Sequence, residues 1–220
     1  MKYLIIRILN NKIRLVALFL IMLGASGIVY GSVSYQEQPR PPKQTIEVNV
    51  TLDPSSNKPT TKAIASYTVA PDLPKYISIP SISVTNARVI RLGYLANGQI
   101  TTPDNIYDTG WYENSSKPGQ KGAMFIFGHV SSWTANGVFY NLKNLTPGDK
   151  VIITRGDNVP FTYEVVKTKI YPYNEVDMQQ VLSPINFNKP GLNLMTCTGQ
   201  VIKGTSEFNE RLVVFTSLVT

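Results

Sequence analysis

The 220-residue chain has one cysteine and one histidine. One cysteine excludes an intramolecular disulfide framework, and one His with one Cys fills only half of a tetrahedral metal shell. Neither a disulfide-stapled scaffold nor a metal or cofactor site is therefore expected. Charge is sparse as well: 16% of residues are Asp, Glu, Lys or Arg against 43% hydrophobic, which suits one main domain with a proper core. The net charge of +7 is not a nucleic-acid footprint. Lys2, Arg7, Lys12 and Arg14 gather at the N-terminus, and the remaining excess is scattered without a basic stripe or interleaved aromatics. No internal repeat stands out either.

The sequence holds one long apolar run, "LVALFLIMLGASGIVYGSV", residues 15–33, which has no charged side chain. At helical rise it nearly spans a bilayer core, and the basic residues before it place the N-terminus in the cytoplasm. The expected organisation is a cytoplasmic basic segment at 1–14, a single-pass signal anchor at 15–33, an extracytoplasmic linker at 34–70 and a folded domain at 71–220. The small residues of "GAS" and "YGS" also fit a cleaved signal peptide, but the length of the run favours an anchor. The linker is rich in Pro, Thr, Ser and Lys, a composition too polar to offset its ordering entropy. Within it, "TIEVNVTL" (45–52) alternates well enough for a strand.

From Tyr76 onward, short runs rich in Val, Ile, Thr and Tyr alternate with turn residues, the pattern of a mainly β domain. Strands are predicted at 76–82, 87–95, 123–130, 149–155, 161–171, 191–197 and 211–219. "RGDNVP" (155–160) reads as a hairpin loop, and "GVFYNLKNL" (137–145) and "EVDMQQVL" (175–182) as short helical turns. The count fits a closed or nearly closed β-barrel with small helical insertions.

The lone Cys197 closes the apolar strand "GLNLMTC", and the lone His129 follows "AMFIFG". Burial as a small apolar residue would account for the cysteine by itself. A thiol with an imidazole, however, is the minimum set for nucleophilic acyl transfer: the imidazole takes the thiol proton and returns one to the leaving amine. The tetrahedral intermediate needs an oxyanion donor, and Arg211, heading the apolar strand "RLVVF", is positioned in sequence to return beside the cysteine strand.

The order His, Cys, Arg, with "GH" and "TC" closing strands, resembles the sortases, membrane-anchored cysteine transpeptidases of mainly Gram-positive bacteria. The similarity runs over about residues 77–220. "GWYENSSKPGQKGAMFIFGH", "GVFYNLKNLTPGDKV" and "LMTCTG" are similar to the class E and class F members in particular. The resemblance implies the eight-stranded sortase barrel with His129, Cys197 and Arg211 as the catalytic set and Thr196 beside the nucleophile in contact with substrate or oxyanion. It also implies an LPxTG-like sorting signal as substrate and an amine of peptidoglycan or a pilin as acceptor. Here "TCTG" stands where "TCGG" or "TCTP" is usual, and "TSEFNERLVVF" is only loosely like the usual run before the arginine. Calcium dependence is not implied, because Glu175 and Asp177 stand without an acidic cluster. Two other readings keep the same residues: a peptidase in which water resolves the thioester, and a non-catalytic, membrane-tethered β-domain in which Cys197 is core.

Overall fold

The computed structural model describes residues 54–93 and 100–219. The expected anchor at 15–33 and the alternating stretch at 45–52 lie outside the described residues. Eight strands form a closed barrel: β1 (Pro74–Ile79), β2 (Val84–Leu92), β3 (Thr109–Tyr112), β4 (Ala123–Gly128), β5 (Lys150–Arg155), β6 (Pro160–Pro172), β7 (Gly191–Val201) and β8 (Phe208–Leu218). Around the barrel they run β1-β2-β3-β4-β7-β8-β6-β5, with β2·β3 and β4·β7 parallel and the other pairs antiparallel. The mainly β reading thus holds. β3 is the strand without a sequence signal: "TGWY" is four residues long, lacks alternation and carries a glycine.

The parallel β4·β7 pair sits between antiparallel neighbours, and such strands are buried on both faces. Every residue of β4 is buried, as is β7 from Gly191 to Thr196. Successive side chains therefore feed two separate apolar layers. Met124, Ile126, Leu192, Leu194, Leu212 and Val214 point into the barrel, where they meet Ile77, Trp111, Ile153 and Tyr163. Phe125, Phe127, Met195, Val213 and Phe215 point outward, where Met178, Val181 and Tyr171 cover them.

Among the described residues, two short helices flank the barrel: α1 (Thr61–Ala65) and α2 (Met178–Val181). Asp177 caps α2 by accepting from Gln180 N at 3.0 Å. Asn193, fully buried on the outward face of β7, secures the same segment by donating to the Val181 and Ser183 carbonyls at 2.7 and 2.9 Å. The "GVFYNLKNL" turn resolves into a single 3₁₀ turn at Leu142–Asn144, and "RGDNVP" is the β5–β6 hairpin.

Residues 54–70, expected as the end of a linker, pack against the barrel. The Tyr67 hydroxyl donates to Val89 O at 2.7 Å, and that of Tyr76 to Ile64 O. Tyr67 lies 5.8 Å from the Arg88 guanidinium, which grips the buried Asp108 through two bonds of 2.8 and 2.7 Å. The polar composition that reads as tether thus conceals Tyr67, whose hydroxyl satisfies a barrel carbonyl, while Tyr76 of β1 reaches back to Ile64 O. Removing Asp108 would leave the partly buried Arg88 without its anion. Asp108→Ala is therefore expected to cost about 3 kcal/mol in urea denaturation, with Arg88→Ala, Asp108→Ala together costing less than the sum of the single changes.

Candidate active site

The outward parity of three adjacent strands determines which side chains meet at one end of the barrel. The outward series runs 125, 127 on β4 and on to 129 just past its end, 193, 195, 197 on β7, and, running back along β8, 215, 213, 211. β4 and β7 run parallel with Phe127 opposite Met195, while Cys197 lies directly opposite Arg211 in the antiparallel β7·β8 ladder. His129, Cys197 and Arg211 consequently share one small, largely apolar pocket with Thr102, Pro103, Phe127, Gly128, Met195 and Thr196.

His129 is 9% exposed, and its Nε2 lies 2.8 Å from Pro103 O. A carbonyl only accepts, so Nε2 carries the proton and the Nδ1 lone pair remains for another group. Burial pushes the imidazole pKa down, and the Pro103 bond pulls it back up in part. The backbone after His129 makes a tight excursion and returns at Gly137, where an added Cβ would come within 2.3 Å of the His129 carbonyl oxygen. The glycine of "GVF" is therefore required by the closeness of the two backbones.

Burial raises the Cys197 pKa, the Arg211 charge lowers it, and the Glu207 charge raises it again. Burial thus favours the neutral form of both the thiol and the imidazole that share this pocket. Gly199, with φ of 83°, supplies the left-handed step at the irregularity between Thr198 and Val201, which accounts for the glycine of "TCTG".

Arg211 is 6% exposed, and its Nη1 donates to the Phe208 and Glu210 carbonyls at 2.8 and 3.1 Å. The Tyr173 ring lies 5.8 Å from its guanidinium carbon. Among the described residues it forms no ion pair, and Nε and Nη2 have no hydrogen-bond acceptor. With Nη1 held by two carbonyls and the Tyr173 ring beside it, the guanidinium leaves donors for an incoming oxygen.

Thr196 points the other way from Cys197, and its hydroxyl donates to Gly128 O at 2.8 Å. That proton is committed to the β4 backbone, so Thr196 ties the cysteine strand to the residue preceding His129. Pro103 and Tyr173 were not visible as site residues in the sequence: one contributes a backbone carbonyl, the other sits in an unpatterned "YPYNE" loop.

Alkylation of Cys197 by iodoacetamide should accelerate with pH through a midpoint above the ordinary thiol value, because burial raises the pKa. Arg211→Ala removes the charge that lowers it. The midpoint should then move higher still, read from the rate of mass gain across pH.

A family model described as the sortase domain matches residues 77–219. No protein of curated function gives a significant match. Among solved structures, sortase C from Streptococcus pneumoniae is 22% identical, covering 77% of this chain and 82% of its own, with a TM-score of 0.52. SrtA sortase from Actinomyces oris is 16% identical over 77% of this chain and 87% of its own, with a TM-score of 0.51. A lid mutant of sortase A from Corynebacterium diphtheriae is 24% identical over 67% of this chain and 70% of its own, at 0.50. These identities bear on the fold alone. The family model, spanning most of the chain and ending beyond Arg211, places this protein in the sortase family of cysteine transpeptidases.

Proposed function

We propose that this sortase cleaves an LPxTG-like sorting signal and transfers the acyl group to an amine acceptor, with Cys197 as nucleophile, His129 as acid–base and Arg211 as oxyanion donor. The observation that carries the reading is the convergence of the lone thiol, the lone imidazole and a buried arginine without an ion-pair partner among the described residues in one pocket. Nδ1 of His129 takes the thiol proton, and the Cys197 sulfur attacks the carbonyl of the signal's Thr. The tetrahedral oxyanion accepts from the free Arg211 donors. Collapse breaks the C–N bond, His129 returns the proton to the leaving amine, and a thioester remains. A second amine, from peptidoglycan or a pilin, attacks that thioester and regenerates the thiol.

The neutral resting pair agrees with a mechanism in which only a minor fraction of the enzyme holds thiolate and imidazolium together. The motifs quoted above favour a class E or class F member. The apolar run at 15–33 and the basic residues before it support a single-pass membrane anchor with the catalytic domain outside the cytoplasm. Residues 34–53 would then serve as the tether proper, since the chain docks on the barrel from Ser55.

A panel of fluorogenic LPxTG-like peptides, incubated with and without an added amine, tests the reaction. Cleavage with amine-dependent ligation supports transfer; cleavage indifferent to amine indicates a peptidase in which water resolves the thioester. Arg211→Ala is expected to lower turnover by at least ~100-fold, as loss of an oxyanion donor does, and Arg211→Lys to recover only part. Near-normal turnover in Arg211→Ala, with unchanged melting, would transfer the oxyanion role to backbone N–H groups.

A further inference from the structure

The polar chain entering the domain lies against the segment that holds His129. Ser55 forms an isolated parallel bridge with Asn105. Its N–H donates to Asp104 O at 2.7 Å, and its carbonyl accepts from Ile106 N at 3.0 Å. Asn105 reinforces the bridge: Nδ2 donates to Asn57 O at 2.8 Å while Oδ1 accepts from Tyr107 N at 2.9 Å. On the far side, Thr134 Oγ1 donates to Ser56 Oγ at 3.1 Å, and Val138 N donates to Ile106 O at 2.8 Å. Residues 55–57 thus touch both backbone segments that bracket His129. One is the stretch following Pro103; the other is the excursion following His129 itself.

We propose that Ser55–Asn57 is a strap that seats Asp104–Ile106 and so holds the Pro103 carbonyl on His129, making Ser55 and Asn105 positioning residues for acyl transfer. The argument is geometric. Pro103 O serves His129 only while its backbone stays within hydrogen-bond reach, and a drift of under 1 Å takes a 2.8 Å contact past 3.5 Å. The Pro103 loop belongs to no named strand, and the bonds to Ser55 fix its backbone one and three residues further on. Without them the imidazole loses the acceptor that selects its tautomer and aims Nδ1 into the pocket. The strap also places the catalytic centre in mechanical continuity with the chain that precedes the domain.

The inference rests on the reading of His129 as the acid–base, and the test separates the two. Full-length protein in detergent is labelled with ¹⁵N-histidine; because the chain has one His, the imidazole signals are unambiguous. Ser55→Pro removes the N–H that reaches Asp104, Ser55→Ala keeps it, and Asn105→Asp replaces the donor to Asn57 with a charged acceptor while keeping the cap on Tyr107. The wild type and Ser55→Ala should show a solvent-protected Nε2–H. Ser55→Pro and Asn105→Asp should lose that protection, with kcat about fivefold lower and KM unchanged, the factor expected for one lost hydrogen bond. If Ser55→Pro fails to fold, Asn105→Asp alone decides. A protected Nε2–H and wild-type kcat in a folded strap variant would overturn the strap. Lost protection with wild-type kcat would overturn the acid–base reading on which it rests.

Discussion

The parallel pairing of β4 with β7, flanked by antiparallel β3 and β8, requires strands that are apolar on both faces, and each face has its own partner layer. That double burial fixes the register. A slip of one residue would drive Phe125, Met195 and Val213 into the barrel and Met124 and Leu194 into the outer layer, so that neither set would fit the volume it meets, and buried Asn193 would lose its partners. With the register fixed, the outward series end together at one rim, and whatever stands one step beyond Phe127 and Met195 is delivered to the same pocket. Here that is an imidazole and a thiol, with an arginine directly across the ladder. The site is a consequence of where the core stops.

The location brings an electrostatic tension. Burial favours the neutral forms of both Cys197 and His129, so the ion pair needed for attack is scarce at rest. Burial also shields the sulfur, since oxidation follows thiolate character and exposure. Arg211 works against the tension from the opposite strand, and its own burial is made tolerable by two strand carbonyls and the Tyr173 ring rather than by a carboxylate. With no carboxylate bonded to it among the described residues, the guanidinium keeps donors open to an incoming oxygen, while the Glu207 charge acts on Cys197 in the opposite sense.

The parts of this architecture legible in the sequence were those written in side-chain patterns. Continuous apolar runs marked β4, β7 and β8, and residue scarcity singled out His129 and Cys197; Arg211 stood out only as the charge at the head of such a run. What escaped is carried by backbone or by isolated contacts. β3 has four residues and no alternation. Pro103 acts through its carbonyl, which every residue type has. Residues 54–70 are polar enough to read as linker, yet two tyrosine hydroxyls and one β-bridge dock them. Thr196 stands beside the nucleophile in sequence, and its hydroxyl donates to Gly128 O, a bond set by strand parity that sequence adjacency does not show.

The proposed chemistry of the rim is conversion of a peptide carbonyl into a thioester on the one cysteine. Intact-protein mass spectrometry of enzyme mixed with an LPxTG-like peptide and quenched in acid, followed by peptide mapping, tests it. The expected result is a mass increase equal to the acyl portion of the peptide, mapped to Cys197, removed by hydroxylamine and absent in Cys197→Ala. Peptide cleavage that persists in Cys197→Ala, or an acyl adduct mapped to another side chain, would contradict it.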